Sequence, residues 1–194
     1  EGAAQGRDAG GGVGGPGGRP VLLVATGSRH KLRELTAMLD LGHARLVSLA
    51  DVPVRGEPVE DGATFAANAA AKARFYARAS GLPTLADDSG IEVDALGGGP
   101  GVRTRRYAGD DATDGENNAK LLRALRGLPP AERGARYRCA LAFADPRAAG
   151  PRGGIAVSVT RGTLAGRIAA GPRGNGGFGR RACCGVRRRD RQSG

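Results

Sequence analysis

Residues 21–31 read Val-Leu-Leu-Val-Ala-Thr-Gly-Ser-Arg-His-Lys, an apolar run followed by a glycine turn and a charged stretch. The apolar, β-branched residues 21–25 predict a short buried strand. A helix is predicted beyond the turn, with Ser28 as its N-cap and Gly42 just past its end. Its apolar face consists of Leu32, Leu35 and Leu39, which recur at helical spacing. A strand, a tight turn and a helix in this order indicate an α/β fold.

The rest of the chain continues this alternation of helices and strands. An alanine-rich stretch over residues 64–80, ended by Gly81, predicts a long helix. A second helix is predicted over residues 113–125, with Asp110, Asp111 and Thr113 available as caps. Strands are predicted at 45–49, 84–86, 91–93, 136–144 and 155–164, with a polar turn at 87–90 and a loop at 97–101. The expected class is α/β with a mixed sheet.

The composition bounds the kind of protein. The chain has 194 residues, of which 40% are hydrophobic, and this suits one globular domain. No apolar run approaches the ~20 residues that a membrane helix needs, so a membrane span is excluded. With no Trp, 4 Phe and 3 Tyr, the chain is unlike a module that stacks nucleic-acid bases. Its 3 Cys have neither a disulfide framework nor a metal-site spacing, which predicts a reducing compartment, the cytoplasm.

The net charge of +11 is unevenly distributed along the chain. The first 20 residues sum to zero, whereas residues 180–194 carry six Arg against one Asp. The middle of the chain therefore holds a modest positive excess. An excess of that size suits an anionic small molecule as well as a polynucleotide.

Both ends differ in composition from the middle. Nine of the first 20 residues are Gly, so residues 1–20 are predicted to be a disordered leader. Residues 180–194 are rich in Arg and Cys and have no helical or strand periodicity. We hypothesise that a shifted reading frame produced this aberrant tail. The predicted domain covers residues 21–179 and lacks its C-terminal part.

The turn Thr26-Gly27-Ser28-Arg29-His30-Lys31 is the first candidate site. It joins a buried strand to a helix start, where free backbone N–H groups and the helix dipole favour an anion. Lys31 adds a mobile positive charge. The alternative is an ordinary strand-to-helix turn, because this pattern is shorter and looser than a P-loop.

An acidic set is the second candidate. Glu60 and Asp61 precede the alanine-rich helix, and Asp87 and Asp88 follow a predicted strand. Carboxylates at the ends of separate elements near a phosphate-binding loop suit Mg²⁺, which leaves other positions for water and substrate phosphates. The alternative is that residues 87–89 only build an Asx-type turn. Lys72, on the helix between the two acidic pairs, either serves this site or lies on a solvated helix face.

Other reactive side chains give weaker indications. Neither His30 nor His43 has a metal-ligand spacing, and no Ser lies in a nucleophile-elbow pattern. Cys139 is expected to be a buried, small apolar residue of a strand. The arginines after the glycine-rich loop either clamp phosphates or belong to a solvated basic hairpin. These arginines are Arg103, Arg105 and Arg106.

Five segments in order resemble the inosine triphosphate pyrophosphatase family, the dITP/XTP pyrophosphatases that cleanse nucleotide pools. The segments are residues 21–31, residues 60–73 (Glu-Asp-Gly-Ala-Thr-Phe-Ala-Ala-Asn-Ala-Ala-Ala-Lys-Ala), residues 86–98 (Ala-Asp-Asp-Ser-Gly-Ile-Glu-Val-Asp-Ala-Leu-Gly-Gly), residues 100–109 (Pro-Gly-Val-Arg-Thr-Arg-Arg-Tyr-Ala-Gly) and residues 174–179 (Gly-Asn-Gly-Gly-Phe-Gly). The resemblance spans residues 21–179. It implies an elongated α/β fold with two lobes and a central cleft, usually a homodimer.

The resemblance also implies a reaction and its residues. The family hydrolyses a purine nucleoside triphosphate at the α-phosphorus, to the monophosphate and pyrophosphate. Carried over by motif, Glu60 and Asp88 would hold Mg²⁺, and Asp88 would also accept the proton of the attacking water. The substrate would be bound by Thr26, Gly27, Ser28, Arg29, His30, Lys31, Lys72, Ser89, Phe178 and Gly179. The roles agree with general phosphoryl-transfer chemistry, in which a metal neutralises the leaving pyrophosphate and a carboxylate orients water.

The chain departs from the family pattern at two places. Ser28 stands where the family usually has Asn. After Gly179 the family continues with Tyr-Asp and, later, a Lys and a Ser-His-Arg segment that grips the base, whereas this chain continues with Arg180 and Arg181. The phosphate and metal groups are therefore expected to be present, and most of the base-recognising groups to be missing.

Two alternatives to this enzyme remain open. The Arg-rich tail suits a non-catalytic binder of nucleotide or nucleic acid, although nucleic acid is the less expected partner. For such a binder, removal of residues 180–194 would lower the salt dependence of binding. A septum-associated, Maf-like nucleotide pyrophosphatase of similar fold would differ in the base it accepts.

Overall fold

The computed structural model describes residues 19–26, 29–38, 44–150 and 153–171. The strands are β1 (Val21–Val24), β2 (Arg45–Ser48), β3 (Thr84–Val93), β4 (Gly134–Ala149) and β5 (Ile155–Arg167). The α-helices are α1 (Arg29–Met38), α2 (Phe65–Ser80) and α3 (Asp114–Ala124). Short 3₁₀ helices cover Asp94–Leu96, Gly101–Arg106 and Pro130–Glu132, and the second of these is called the arginine helix below.

The five strands form one mixed sheet in the order β2-β1-β3-β4-β5. β1 runs parallel to both β2 and β3, whereas β4 runs antiparallel to β3 and β5. The α/β class and the mixed sheet are therefore confirmed. β1 pairs with β3 only at Thr84 and Leu85, so β3 continues past the carboxyl end of β1.

The polar turn predicted at 87–90 is wrong. β3 is one continuous strand, and each residue from Thr84 to Val93 has a partner on β4. Asp87, for example, lies opposite Leu141, and Asp88 opposite Ala140. Ladder hydrogen bonds to a long neighbouring strand outweigh the local turn preference of Asp and Ser.

Helix α2 packs on the sheet through alanines. Thr64 caps its start by accepting a hydrogen bond from the Ala67 amide at 3.1 Å, and Gly81 ends it in the left-handed conformation. Ala69, Ala73 and Ala77 form a fully buried stripe on one helix face. They belong to one core with the β4 residues Ala140, Ala142 and Ala144. Methyl groups on both surfaces let the helix axis lie close to the sheet.

A second core lies under α3, at the other end of β3 and β4. Thr113 and Glu116 form a capping box at the start of this helix, as its predicted caps indicate. Leu121 and Leu125 are fully buried and pack with Ile91 and Val93. Residues 87–89 of β3 therefore lie between two cores, since Ala86 belongs to the first and Ile91 to the second.

The arginine helix is seated on β3 at Gly90. Thr104 Oγ1 accepts a hydrogen bond from the Ile91 amide at 2.9 Å and donates one to the Gly101 carbonyl at 2.6 Å. A Cβ atom at Gly90 would lie 2.8 Å from the Gly101 carbonyl oxygen and 2.9 Å from the Phe65 ring. Only glycine fits this contact. The loop predicted at 97–101 is found at residues 97–100, between the first two 3₁₀ helices. The basic hairpin considered for the three arginines is wrong, because residues 101–106 form a 3₁₀ helix packed on the sheet.

Several predictions concern residues that the structure does not describe. The predicted helix end around Leu39 to Gly42, and His43, lie outside them. Residues 1–18 and 172–194 also lie outside, so the leader, the tail and the domain limits at 20 and 179 stay predictions. Cys139 is half-buried on β4 rather than buried, a correction to the expectation from its strand. Across the described ranges, no helix combines the length and apolar character that a membrane crossing needs.

We expect Gly90→Ala to destabilise the fold. The added methyl group collides with backbone and ring atoms that are packed on both sides, and overpacking of this kind costs about 1–3 kcal/mol. Urea unfolding followed by circular dichroism measures the loss. Gly162→Ala is the matched control, because a Cβ atom there meets no other atom within 4 Å. Equal stability of the two variants would contradict the close seating of the arginine helix.

Candidate active site

A cleft of about 720 Å³ opens where β3 extends past the end of β1. Its lining includes Thr26, Glu60, Asn68, Lys72, Asp88 and Ser89. These residues come from the end of β1, the segment before α2, one face of α2 and the middle of β3. In open α/β sheets, ligands bind outside the carboxyl ends of the parallel strands, and this cleft has that position.

Asp88 is the most distinctive carboxylate of the cleft. Its Oδ2 accepts a hydrogen bond from Asn68 Nδ2 at 3.0 Å, and its Oδ1 accepts one from the Ser89 amide at 3.0 Å. Burial raises the pKa of the Asp88 carboxyl above its ordinary value. The hydrogen bond from Asn68 and the positive charge of Lys72 act in the opposite direction and lower this pKa. The negative charge of Glu60 raises it. A carboxylate whose pKa is raised is a stronger base than an ordinary aspartate.

Lys72 connects the two acidic segments. Its ammonium lies 2.9 Å from Glu60 Oε1 and donates a hydrogen bond to the Asp87 carbonyl at 3.2 Å. The Lys72 side chain is 16% exposed, so it does not lie on a solvated helix face. The Glu60 side chain is 40% exposed, so it is open to the solvent of the cleft.

Asn68 also belongs to the site, although no motif in the sequence singles it out. It is 3% exposed, and both ends of its amide are used: Nδ2 donates to Asp88, and Oδ1 accepts from the Gly62 amide at 2.8 Å. It thus ties the loop after Glu60 to β3. The signal was a lone amide in an alanine-rich stretch, one helical turn before Lys72, on the buried face.

Ser89 follows Asp88 directly in β3. Its Oγ is 3.0 Å from the hydroxyl of Tyr137 on the neighbouring strand β4, within hydrogen-bond distance. Ser89 and Asp88 are adjacent in the strand, and both line the cleft. The structure therefore brings together five of the predicted site residues: Thr26, Glu60, Lys72, Asp88 and Ser89.

The remaining predicted site residues fall outside the description, wholly or in their side chains. Gly27, Ser28, Phe178 and Gly179 lie outside the described residues. Arg29, His30 and Lys31 fall in the first turn of α1, and their side chains also lie outside the description. Thr26 itself is nearly buried, and its amide donates to the Val24 carbonyl at 2.7 Å. The phosphate-binding turn stays a prediction.

The donor set fits a magnesium ion better than a transition metal. Within the described ranges, no group of three or more His, Cys, Asp or Glu side chains is arranged to hold a metal ion. Glu60 and Asp88 nevertheless line the same cleft and are close enough for the charge of one to raise the pKa of the other. Mg²⁺ needs only one or two protein carboxylates, with the remaining ligands from water and phosphate.

Comparison with known proteins identifies the family. The model of the Ham1 family matches residues 22–180. The dITP/XTP pyrophosphatase of Geobacter sulfurreducens is 49% identical over 158 residues, which are 81% of this chain and 76% of that protein. That of Geobacillus kaustophilus is 46% identical over 158 residues, with 81% and 74% covered.

Solved structures agree with the sequence relatives. A HAM1 protein from Coxiella burnetii superposes with a TM-score of 0.74 at 35% identity, covering 86% of this chain and 82% of that one. A nucleoside-triphosphatase / dITP/XTP pyrophosphatase from Mycobacterium abscessus gives 0.66 at 38% identity, covering 85% and 83%. The fold is therefore that of an α/β family with solved members. This chain belongs to the Ham1 family, and the resemblance found in its motifs is confirmed.

We expect Asn68→Ala to raise the pKa of Asp88 further. The wild-type pKa already lies above the ordinary value, and the variant loses a hydrogen bond that favours the ionised carboxylate. Carbon-13 NMR titration of the Asp carboxyl carbons measures both values. Arg74→Ala on the exposed face of α2 is the control and should leave the titration unchanged. A wild-type pKa at or below about 3.9, or a downward shift in Asn68→Ala, would contradict the site geometry.

Proposed function

We propose that this chain hydrolyses deaminated purine nucleoside triphosphates, dITP, ITP and XTP, to the monophosphate and pyrophosphate. The observation that carries the proposal is Asp88, a half-buried carboxylate in the cleft whose pKa is raised and whose position is set by Asn68. The relatives named dITP/XTP pyrophosphatase support the choice of substrate. The chain would then be a hydrolase of nucleotide metabolism.

Asp88 is the proposed general base. One of its oxygens receives the Asn68 amide and the other receives the Ser89 amide, so the carboxylate is held in one orientation. A fixed carboxylate within a cleft orients a water molecule and takes its proton as the water attacks the α-phosphorus. The bond from the α-phosphorus to the bridging oxygen then breaks, and pyrophosphate leaves.

Phosphate binding is assigned to the turn at residues 26–31, with Lys72 and Ser89. The end of β1 brings Thr26 to the cleft, and the first turn of α1 follows within a few residues. Backbone N–H groups at a helix start favour an anion there. Lys72 is bound to Glu60 in the structure, and we expect its ammonium to move to a phosphate oxygen when substrate enters. Phe178 and Gly179 are assigned to substrate binding on the strength of the family motif alone.

Glu60 and Asp88 are the residues that would hold Mg²⁺. When bound, the ion neutralises charge on the phosphate oxygens and on the leaving pyrophosphate. The two carboxylates come from separate elements, so the segment before α2 must stay fixed relative to β3. Asn68 provides that fixation, because it binds Gly62 on one side and Asp88 on the other. We also propose that the chain forms a homodimer and acts in the cytoplasm.

Turnover of ITP by the full chain tests the reaction. We expect release of pyrophosphate rather than orthophosphate, measured by separate coupled assays for the two products. Asp88→Asn should lower kcat by about 10²–10⁴-fold, the usual contribution of a general base. Asp61→Asn is the control, since this exposed carboxylate does not line the cleft.

Either of two results would overturn the proposal. Release of orthophosphate alone would exclude cleavage at the α-phosphorus. Tight ITP binding with no release of pyrophosphate would indicate a non-catalytic nucleotide binder instead. A panel of triphosphates that differ in their base separates the Maf-like alternative.

Metal dependence is tested by titrating Mg²⁺ into the chelator-treated protein. We expect activity to vanish with the metal and to return on its addition. Glu60→Gln should raise the Mg²⁺ concentration for half-maximal activity by about tenfold or more, because the variant loses one ionised ligand. Asp61→Asn, one residue away, should leave this concentration unchanged. Equal responses of the two variants would exclude Glu60 as a ligand.

A further inference from the structure

Three cationic side chains line the described part of the cleft, namely Lys72, Arg105 and Arg106. Two of them are already engaged. Lys72 binds Glu60 and the Asp87 carbonyl, and Arg106 donates a hydrogen bond to the Glu60 carbonyl at 3.3 Å. The guanidinium of Arg105 makes no hydrogen bond or ion pair with the residues that the structure describes, and its side chain is exposed.

The backbone that carries Arg105 is nevertheless held firmly. Asn117 of α3 is fully buried; its Nδ2 donates to the Arg105 carbonyl at 2.9 Å and its Oδ1 accepts from the Ala108 amide at 2.7 Å. On the preceding side, Thr104 is bonded to Ile91 of β3. A fixed backbone with an unengaged guanidinium is pre-organised to bind a group from outside, because little backbone entropy is lost on binding.

Carboxylates outnumber cationic side chains in the described part of the cleft, so each cation matters for the binding of an anion. Six carboxylates line the described part of the cleft: Glu57, Glu60, Asp87, Asp88, Asp110 and Asp111. Burial raises the pKa of Tyr76 in this cleft, and the negative charges of Glu57 and Glu60 add to the rise. A triphosphate entering this cleft meets repulsion, so an unengaged guanidinium contributes strongly to its binding.

We propose that Arg105 is a substrate-binding residue whose guanidinium holds the non-bridging oxygens of the polyphosphate. This assignment rests on the proposed function, because it takes the same cleft as the substrate site. The planar fork of an arginine matches two phosphate oxygens at once. Arg103, in the same arginine helix, is exposed but does not line the cleft, so the two arginines are assigned different roles.

The test compares Arg105→Gln with Arg103→Gln in the full chain. Inorganic tripolyphosphate is the first probe, titrated calorimetrically at constant ionic strength. We expect Arg105→Gln to raise the Kd by about tenfold or more, as the loss of a charge-assisted pair does, and Arg103→Gln to change it less than about twofold. Arg105→Lys should fall between, because it keeps the charge and loses the fork.

Turnover of ITP is the second readout. Arg105→Gln should raise KM with a smaller effect on kcat, since the residue binds the polyphosphate and does not accept the proton. Urea unfolding midpoints equal to that of wild type show that the variants fold. Equal tripolyphosphate affinity of the Arg105 and Arg103 variants would overturn the assignment.

The two proposals fail in different ways. If wild type releases no pyrophosphate from ITP, the proposed function fails, and the tripolyphosphate titration still decides whether Arg105 binds a polyphosphate. If wild type is active and Arg105→Gln matches it in both readouts, the assignment of Arg105 fails and the proposed function stands.

Discussion

The hydrogen bond from Asn68 to Asp88 joins helix α2 to the middle of β3, and the rest of the site depends on it. The other end of the same amide binds Gly62, so one buried side chain fixes the position of the acidic loop, the helix and the strand. Lys72, one turn further along α2, reaches both acidic segments from the same helix face. Without the Asn68 hydrogen bonds, the loop that follows Glu60 would lose its buried connection to Asp88 on β3.

The site lies where neither core covers the strand. Ala86 belongs to the core under α2 and Ile91 to the core under α3, and the three polar residues between them face the cleft. A carboxylate at that position is partly desolvated, which raises its pKa, yet it remains open to a ligand. The division of β3 between two cores thus produces the environment that a proton acceptor needs.

Sequence reasoning succeeds where the determining interactions are local. The alanine run with Thr64 before it and Gly81 after it predicts α2 nearly to the residue, because propensity and caps act within the helix. It fails at residues 87–90, where Asp and Ser favour a turn, since the partner strand is about fifty residues away in the chain. Asn68 was missed for the same reason: its two partners lie before the helix and on β3. The motifs of the acidic segments identify the family without revealing this junction.

The alanine interface between α2 and β4 sets how far side chains on α2 must extend to contact the sheet. Asn68 and Lys72 each precede a buried alanine of the stripe, Ala69 and Ala73, so their distance to the strand is governed by the thickness of two methyl layers. A leucine or valine in that contact would bury more apolar area and lift the helix away from the strand. Side chains as short as an asparagine would then no longer span the gap. The chain forgoes hydrophobic burial here, and small side chains act as spacers that set the dimensions of a polar site.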